Sequence, residues 1–368
     1  MKDSEYMSLA IELAKKGYGT VSPNPVAGAV IVKNGRIIGQ GYHEKYGGLH
    51  AERNALLSCS ESPEGATMYV TLEPCCHYGK QPPCTEAIIE AALSRVVVGV
   101  RDPNPLVAGK GIEILKEHGI SVTEDVMTDE CRRINEVFMH YIQTGTPFVV
   151  MKYAMTMDGK IACYTGDSKW VTGETARQHV HQQRNRYSSI MAGIGTVLAD
   201  DPLLTCRTEG GRNPVRIICD THLRIPLSSQ IVRTAREVPT VIVTCSGNAE
   251  RKKELTEAGC RLIVQSPEQD SIDLPVLMDT LGKEGVDSIL LEGGGTLNWS
   301  ALESGIVNKV QAYIAPKLFG GGTARTPVEG AGFPSPDLGV HLKNPEITVL
   351  GSDFLIESEV DNDVHRNS

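Results

Sequence analysis

Apolar and polar positions along this chain switch repeatedly between a helical and an extended period. Residues 4–17 place apolar side chains at helical spacing and predict an amphipathic helix. Residues 27–42 instead form two short apolar runs, Ala27 to Val32 and Ile37 to Gly41, separated by Asn34-Gly35. Asn-Gly between such runs is a strong hairpin signal, because both residues tolerate the positive φ of a tight turn. Beyond it the pattern predicts a helix over 50–57, a strand over 68–72, a helix over 85–93, a strand over 96–100, a helix over 111–117 and one longer helix over 129–144. Strands alternating with helices predict an α/β domain.

Gly145-Thr146-Pro147 interrupts the pattern, which then restarts. Strands are predicted over 148–154, 188–193, 215–219, 240–245, 261–265, 287–291 and 309–315, with helices over 174–187, 249–258, 274–284 and 296–303. Residues 345–359 read as a terminal hairpin closed at Gly351-Ser352. A length of 368 residues suits two domains. The boundaries expected are 1–145 and 146–360, followed by a polar, disordered tail over 361–368.

Composition narrows the partners. The net charge is −9 and no Lys/Arg block occurs, so nucleic acid is not an expected partner. No apolar run approaches the roughly 18 residues of a membrane span. The opening Met1-Lys2-Asp3-Ser4-Glu5-Tyr6 has no export pattern, so the ten cysteines are expected to be reduced thiols in the cytoplasm.

The candidate chemistry starts at His50-Ala51-Glu52, followed by Pro74-Cys75 and Cys84. An imidazole, two thiolates and an unligated carboxylate match the H-x-E…P-C-x-x-C set of zinc base deaminases. Three protein ligands leave one zinc position open to water, and a nearby Glu can move protons. Eight residues, Cys76 to Pro83, separate Cys75 from Cys84 where the general pattern has two. That insert holds further possible ligands in Cys76 and His77, so ligand chemistry alone leaves the set open. Cys84 is favoured because it opens an apolar helical run, where the helix dipole supports a thiolate. His50 and Glu52 can serve one site only if His50 stands at the helix start. The other reading is a surface His and Glu around a structural zinc or none.

The segment Thr71-Leu72-Glu73-Pro74-Cys75 through Cys84, long insert included, resembles the deaminase domain of the bifunctional deaminase/reductase family of riboflavin biosynthesis. Carried over by position, the resemblance implies metal ligands His50, Cys75 and Cys84, catalytic Glu52, and substrate contacts from Asn24, His43 and Lys80. On their own, Asn24 could be an Asx-Pro turn and Lys80 a solvated loop lysine.

The resemblance continues through Lys152–Ala162, Ser168–Thr172, Arg184-Asn185, Gly193–Val197, Asp200–Arg207 and Glu292–Leu297. It implies an N-terminal cytidine-deaminase-like α/β/α domain and a C-terminal dihydrofolate-reductase-like α/β domain. Substrate phosphate would be bound by Lys152, Ser168, Arg184, Leu204, Arg207 and Glu292. NADPH would be lined by Ala154, Trp170, Thr196, Asp200, Gly294, Gly295, Thr296, Leu297, Asn298, Trp299 and Ser300. Glu292-Gly293-Gly294-Gly295 follows an apolar strand and precedes a helix, which suits a backbone–phosphate approach, or simply a tight turn. It is not a G-x-G-x-x-G fingerprint. Asp200-Asp201-Pro202 could equally mark only a loop and a helix start.

The function implied is zinc-dependent deamination of 2,5-diamino-6-ribosylamino-4(3H)-pyrimidinone 5′-phosphate. NADPH-dependent reduction of the ribosyl chain would follow, with Lys152 or Glu292 as the candidate proton donor. A homo-oligomer is expected, as in the family. Two alternatives stand beside this: another zinc nucleoside or nucleotide deaminase with an unrelated fused domain, and a non-catalytic zinc-stabilised binding protein.

Overall fold

The computed structural model describes residues 1–104 and 107–361, so the tail expected over 361–368 lies, beyond Asp361, outside the described residues. The chain divides into two compact units, Met1–Gly145 and Thr146–Ser368. Among the described residues no helix is long and apolar enough to cross a membrane.

The first unit runs α1 (Asp3–Lys15), β1 (Gly28–Lys33), β2 (Arg36–Tyr42), α2 (Ala51–Leu57), β3 (Thr67–Leu72), α3 (Cys84–Glu90), β4 (Arg95–Val100), α4 (Lys110–Glu117), β5 (Ser121–Thr123), α5 (Thr128–Ile134) and α6 (Glu136–Thr144). Its sheet has the order β2-β1-β3-β4-β5. The β1–β2 hairpin is antiparallel and turns at Asn34 (φ 51) and Gly35 (φ 74). From β3 outward the pairing is parallel. Strand alternation sends Val30 and Val32 to one face, against Tyr6, Met7 and Ala10 of α1, and Ala29 and Ile31 to the other, against α2, α3 and α4. The result is an α/β/α sandwich. Helix α2 can lie against β2 because Gly39 and Gly41 lack side chains: a Cβ on either would sit 2.4 Å from the Ala55 backbone.

One expectation is corrected here. The single helix over 129–144 is two helices broken at Asn135. Asn135 is buried and its Nδ2 donates to the Val26 carbonyl at 2.9 Å. That tertiary hydrogen bond holds Asn135 at φ −112, outside helical geometry.

The second unit contains β6 (Phe148–Thr156), α7 (Glu174–Arg186), β7 (Ser189–Gly193), α8 (Ile194–Asp200), β8 (Val215–Cys219), α9 (Gln230–Arg233), β9 (Thr240–Thr244), α10 (Ala249–Glu257), β10 (Arg261–Val264), α11 (Leu274–Lys283), β11 (Ser288–Leu291), α12 (Gly295–Glu303), β12 (Lys309–Ala315), β13 (Leu342–Leu350) and β14 (Asp353–Val360). The nine-stranded sheet has the order β10-β9-β8-β7-β11-β6-β12-β14-β13. Its strands are parallel from β10 to β12, and the β13–β14 hairpin adds antiparallel to β12. Leu277, Leu281 and Ala301 of α11 and α12 cover one face, while Val197, Ile231 and Leu255 of α8, α9 and α10 cover the other. Helices α8 and α9, which the periodicity does not predict, are short. Asp200 ends α8, so Asp200-Asp201-Pro202 closes a helix rather than starting one.

Candidate active sites

In the first unit, three local structures bring the metal-binding residue types together. His50 immediately precedes α2 in extended geometry (φ −75, ψ 165), and Glu52 occupies the first turn. Cys84 opens α3, and Cys75 lies on the loop after β3. His50 Nδ1 is 3.4 Å from both Cys75 Sγ and Cys84 Sγ, and the three ligand atoms lie within 4.8 Å of one another. Tetrahedral zinc with Zn–N near 2.05 Å and Zn–S near 2.3 Å separates N from S by about 3.6 Å, so the donor set fits the ion. Cys76 and His77 are not part of this convergence.

The electrostatics agree with a thiolate site. Cys75 is held down to about 4, chiefly by the Cys84 thiol and then by His50. The backbone N–H of Cys84 also donates to Cys75 Sγ at 3.3 Å. Cys84, buried and sharing a proton with Cys75, is pushed up by that partner. Glu52 is 4% exposed, and burial followed by the Cys75 charge raises it to about 7. A carboxyl at that level can take up and release a proton near neutrality.

His50, Glu52 and Cys75 line a cavity of about 240 Å³, with Cys84 buried behind them. Asn24, His43 and Lys80 line it as well. His43 Nδ1 is 2.9 Å from the Leu49 carbonyl, which can only accept, so Nδ1 carries the proton. Its Nε2 then accepts from Asn24 Nδ2 at 3.3 Å, which leaves the Asn24 carbonyl oxygen as the group without a role in that pair. Burial keeps His43 below its ordinary range, in keeping with a neutral ring. Lys80 Nζ sits 3.8 Å from the Tyr46 ring centre.

Sequence reasoning missed Glu73, Asp102 and Asn104, which also line the cavity. Buried Glu73 accepts from the backbone N–H groups of Gly109 (2.9 Å), Asp102 (3.3 Å) and Ile112 (3.3 Å). It thereby pins Asp102, Gly109 and Ile112 beside Pro74-Cys75. Burial raises Asp102 to about 6. Nothing in the spacing signals these residues. They become neighbours because β3 and β4 are parallel with Leu72 opposite Val100, so the residues just past both strand ends emerge side by side.

In the second unit, Glu292 follows β11 and is almost fully enclosed. Arg184 of α7 grips it with Nε–Oε1 at 2.7 Å and Nη2–Oε2 at 2.9 Å, and Lys152 of β6 reaches Oε2 at 3.3 Å. Burial alone would raise Glu292, but Arg184 and Lys152 hold it far below the usual carboxylate range. Arg184 Nη1 also donates to the Thr205 carbonyl at 3.1 Å, tying the 201–207 loop to the same cluster. Arg207 is exposed on that loop, whereas Leu204 is buried in the core. Ser168 is half-buried and Trp170 is exposed, with the Arg177 guanidinium 4.7 Å from the Trp170 ring centre.

Helices α8 and α12 begin at the ends of the neighbouring parallel strands β7 and β11. Their starts adjoin: a Cβ on Gly294 would lie 3.9 Å from Thr196 Oγ1. Gly294 and Leu297 are half-buried there, Thr296 is exposed and Gly295 is enclosed, whereas Asp200 is exposed at the far end of α8, Ser300 is half-buried further along α12, and half-buried Ala154 of β6 packs with Ala176, Val180 and Tyr313. Asn298 and Trp299 instead turn inward. Asn298 Nδ2 donates to the Pro327 carbonyl at 2.8 Å, and Trp299 packs on Phe333 with ring centres 5.0 Å apart.

With this geometry in hand, the comparisons with known proteins are specific. Residues 147–356 match the family described as RibD C-terminal domain, and residues 1–100 match the cytidine and deoxycytidylate deaminase zinc-binding region. The chain is 52% identical over 357 residues to the riboflavin biosynthesis protein RibD of Actinobacillus pleuropneumoniae, covering 97% of this chain and 95% of that protein. The solved structure of Acinetobacter baumannii RibD superposes with a TM-score of 0.85 at 37% identity, covering 98% of this chain and 99% of that one. The diaminohydroxyphosphoribosylaminopyrimidine deaminase/5-amino-6-(5-phosphoribosylamino)uracil reductase of Thermotoga maritima superposes with a TM-score of 0.84 at 39% identity, covering 98% and 99%.

Proposed function

The chain belongs to the RibD family and is a bifunctional deaminase and reductase of riboflavin biosynthesis, and from that premise we propose which residues perform each step. Residues 1–145 carry the deaminase and 146–360 the reductase. The first converts 2,5-diamino-6-ribosylamino-4(3H)-pyrimidinone 5′-phosphate to the deaminated pyrimidine. The second reduces its ribosyl chain to ribityl, giving 5-amino-6-ribitylaminouracil 5′-phosphate.

His50, Cys75 and Cys84 hold zinc, which when bound makes a water acidic enough to supply hydroxide near neutral pH. Glu52 takes the water's proton and passes it to the departing amine, a role suited to a buried carboxyl near 7. Asn24 turns its carbonyl oxygen toward the ring because His43 holds its amide nitrogen. Lys80 contributes a positive charge for the phosphate.

In the reductase, NADPH when bound supplies the hydride, and the starts of α8 and α12, with Thr196, Gly294 and Gly295, cradle it. Between the two proton-donor candidates the geometry favours Lys152. Glu292 is locked as a carboxylate by two cations and has no proton to give, whereas Lys152 carries one and stands beside it. Arg184 and Arg207 suit the planar recognition of phosphate. Asn298 and Trp299 shape the start of α12 by packing behind it.

None of the ten cysteines, all among the described residues, is paired in a disulfide, which supports a cytoplasmic setting. The outer strand β13 exposes Ile347 and Val349 along a sheet edge, which supports self-association as a homo-oligomer.

The observation that carries the reading is the meeting of His50, Cys75 and Cys84 with buried Glu52 beside them. The test follows ammonia release and NADPH oxidation separately on the purified chain, before and after chelation. Chelation should stop ammonia release and leave reduction of pre-deaminated substrate intact. Ammonia release that survives complete zinc removal would overturn the deaminase assignment.

A further inference from the structure

The insert that separates Cys75 from Cys84 has to deliver Cys84 to His50, yet its last two residues, Pro82 and Pro83, have no N–H with which to be pinned. Only their carbonyls can be held. Both are held by one side chain: Arg53 Nε donates to the Pro82 carbonyl at 3.3 Å, and Arg53 Nη2 to the Pro83 carbonyl at 2.8 Å. Arg53 stands on α2 next to Glu52 and three residues after His50. Pro83 is the residue from which α3 starts, with Cys84 as the first residue of that helix. The guanidinium therefore bridges the element that carries one ligand to the backbone that carries another.

We propose that Arg53 is a positioning residue for the metal site, setting Cys84 against His50 and so governing how tightly zinc is kept. This rests on the assignment of His50, Cys75 and Cys84 as ligands. Three features single Arg53 out. A guanidinium offers donors in a rigid planar fork, so two consecutive carbonyls are held in one orientation, which a lysine point charge cannot do. The shorter bond, to the Pro83 carbonyl next to Cys84, is partly shielded from water, so solvent competes with it poorly, while the bond to Pro82 is exposed. The position of Pro83 also bears on the second sulfur, since Cys84 donates its N–H to Cys75 Sγ at 3.3 Å. A displaced Pro83 would therefore disturb both sulfurs together. Partners that orient a metal's ligands are worth about 10–100-fold in metal affinity when removed.

The experiment uses the full-length, zinc-loaded chain and competes the metal away with a chromophoric chelator. The chains compared are unaltered, Arg53→Met, Arg53→Lys and Cys84→Ala. A thermal unfolding scan of each chain, followed by circular dichroism, checks that both units are folded. Arg53→Met is expected to weaken zinc retention about tenfold or more. In cobalt-loaded protein it is expected to shift the thiolate-to-cobalt absorption. Arg53→Lys, reaching one carbonyl at most, should fall between Met and the unaltered chain. A merely structural tether would lower the unfolding temperature and leave both metal readouts unchanged. Zinc retention by Arg53→Met within twofold of the unaltered chain overturns the proposal. If that variant fails to accumulate, unchanged retention by Arg53→Lys overturns it. Cys84→Ala separates this from the ligand assignment. Loss of zinc there with none in Arg53→Met sinks only the positioning role, whereas full retention in Cys84→Ala sinks the ligand assignment and the positioning role with it.

Discussion

The deaminase site draws its metal-binding groups from one neighbourhood of the chain, with His50 and Cys84 34 residues apart, whereas Lys152 and Glu292 of the reductase site are 140 apart. The first site is made of uncommon side chains, an imidazole, a thiol and a buried carboxyl at helix starts and a second thiol on the loop after β3. The second is made of common ones, a lysine, an arginine and a glutamate, which become a site only when α7 and the parallel strands β6 and β11 meet. The chemistry differs accordingly. The metal site needs groups that titrate near neutrality, so Glu52 is raised by burial. The reductase site needs fixed charge, so Glu292 is buried between two cations that keep it ionised.

If the two sites are independent, breaking one should leave the other working, and the largest effects test this first. Glu52→Gln should keep zinc and lose ammonia release by about 10²–10⁴-fold, the usual weight of a general acid–base group. Reduction of pre-deaminated substrate should be unaltered. A parallel loss of NADPH oxidation would show that the sites are coupled. Next in size is Glu292→Gln, which leaves Lys152 and Arg184 facing each other without their counter-charge. Breaking a buried ion pair on one side costs roughly 3 kcal/mol, so the second unit should unfold at markedly lower temperature while zinc retention stays as it was.

Glu292 also predicts an acid dependence. Its folded value lies below the unfolded one, near 4.3. Its contribution to stability is therefore complete above that value and drains away as pH falls toward the depressed one. Unfolding followed from pH 6 downward should show a slope that Glu292→Gln flattens. A slope unchanged by the substitution would place the acid sensitivity elsewhere.

Two smaller effects sharpen the picture of substrate holding. Lys80→Met should raise KM for deamination about tenfold, the rough worth of one charged hydrogen bond, and leave KM of the reductase alone. Tyr46→Leu removes the ring beneath Lys80 and should raise the same KM about threefold, as an exposed cation–π contact allows. Tyr46→Phe should restore it, and a Phe variant as weak as Leu would show that the hydroxyl rather than the ring matters.

Legibility in the sequence followed locality. The β1–β2 hairpin was readable because Asn34-Gly35 specifies its own turn, and the central strands of both units because their apolar runs are buried on two faces, whereas the short edge strand β5, with no such run, was not read. The metal ligands were readable because few other roles call for His, Glu and two cysteines in that order. Where the reading failed, a distant partner had intervened. The helix over 129–144 breaks because Asn135 satisfies the Val26 carbonyl. Glu73 and Asp102 were unread because only strand register makes them neighbours. The lone pattern of Asp200-Asp201-Pro202 does not reveal that α8 precedes it.

The residues alone determined the two-unit α/β organisation, the family and the reactive groups, because periodicity, turn chemistry and rare side chains act over short stretches of chain. Tertiary structure decided the rest. It singled out His50, Cys75 and Cys84 from five possible ligands by bringing their donor atoms within 4.8 Å of one another. It set the proton state of Glu52 and Glu292 in opposite directions. It also gave Arg53 two carbonyls to hold. Each of these depends on burial or on the distance between groups remote in sequence, and neither quantity exists until the chain has packed.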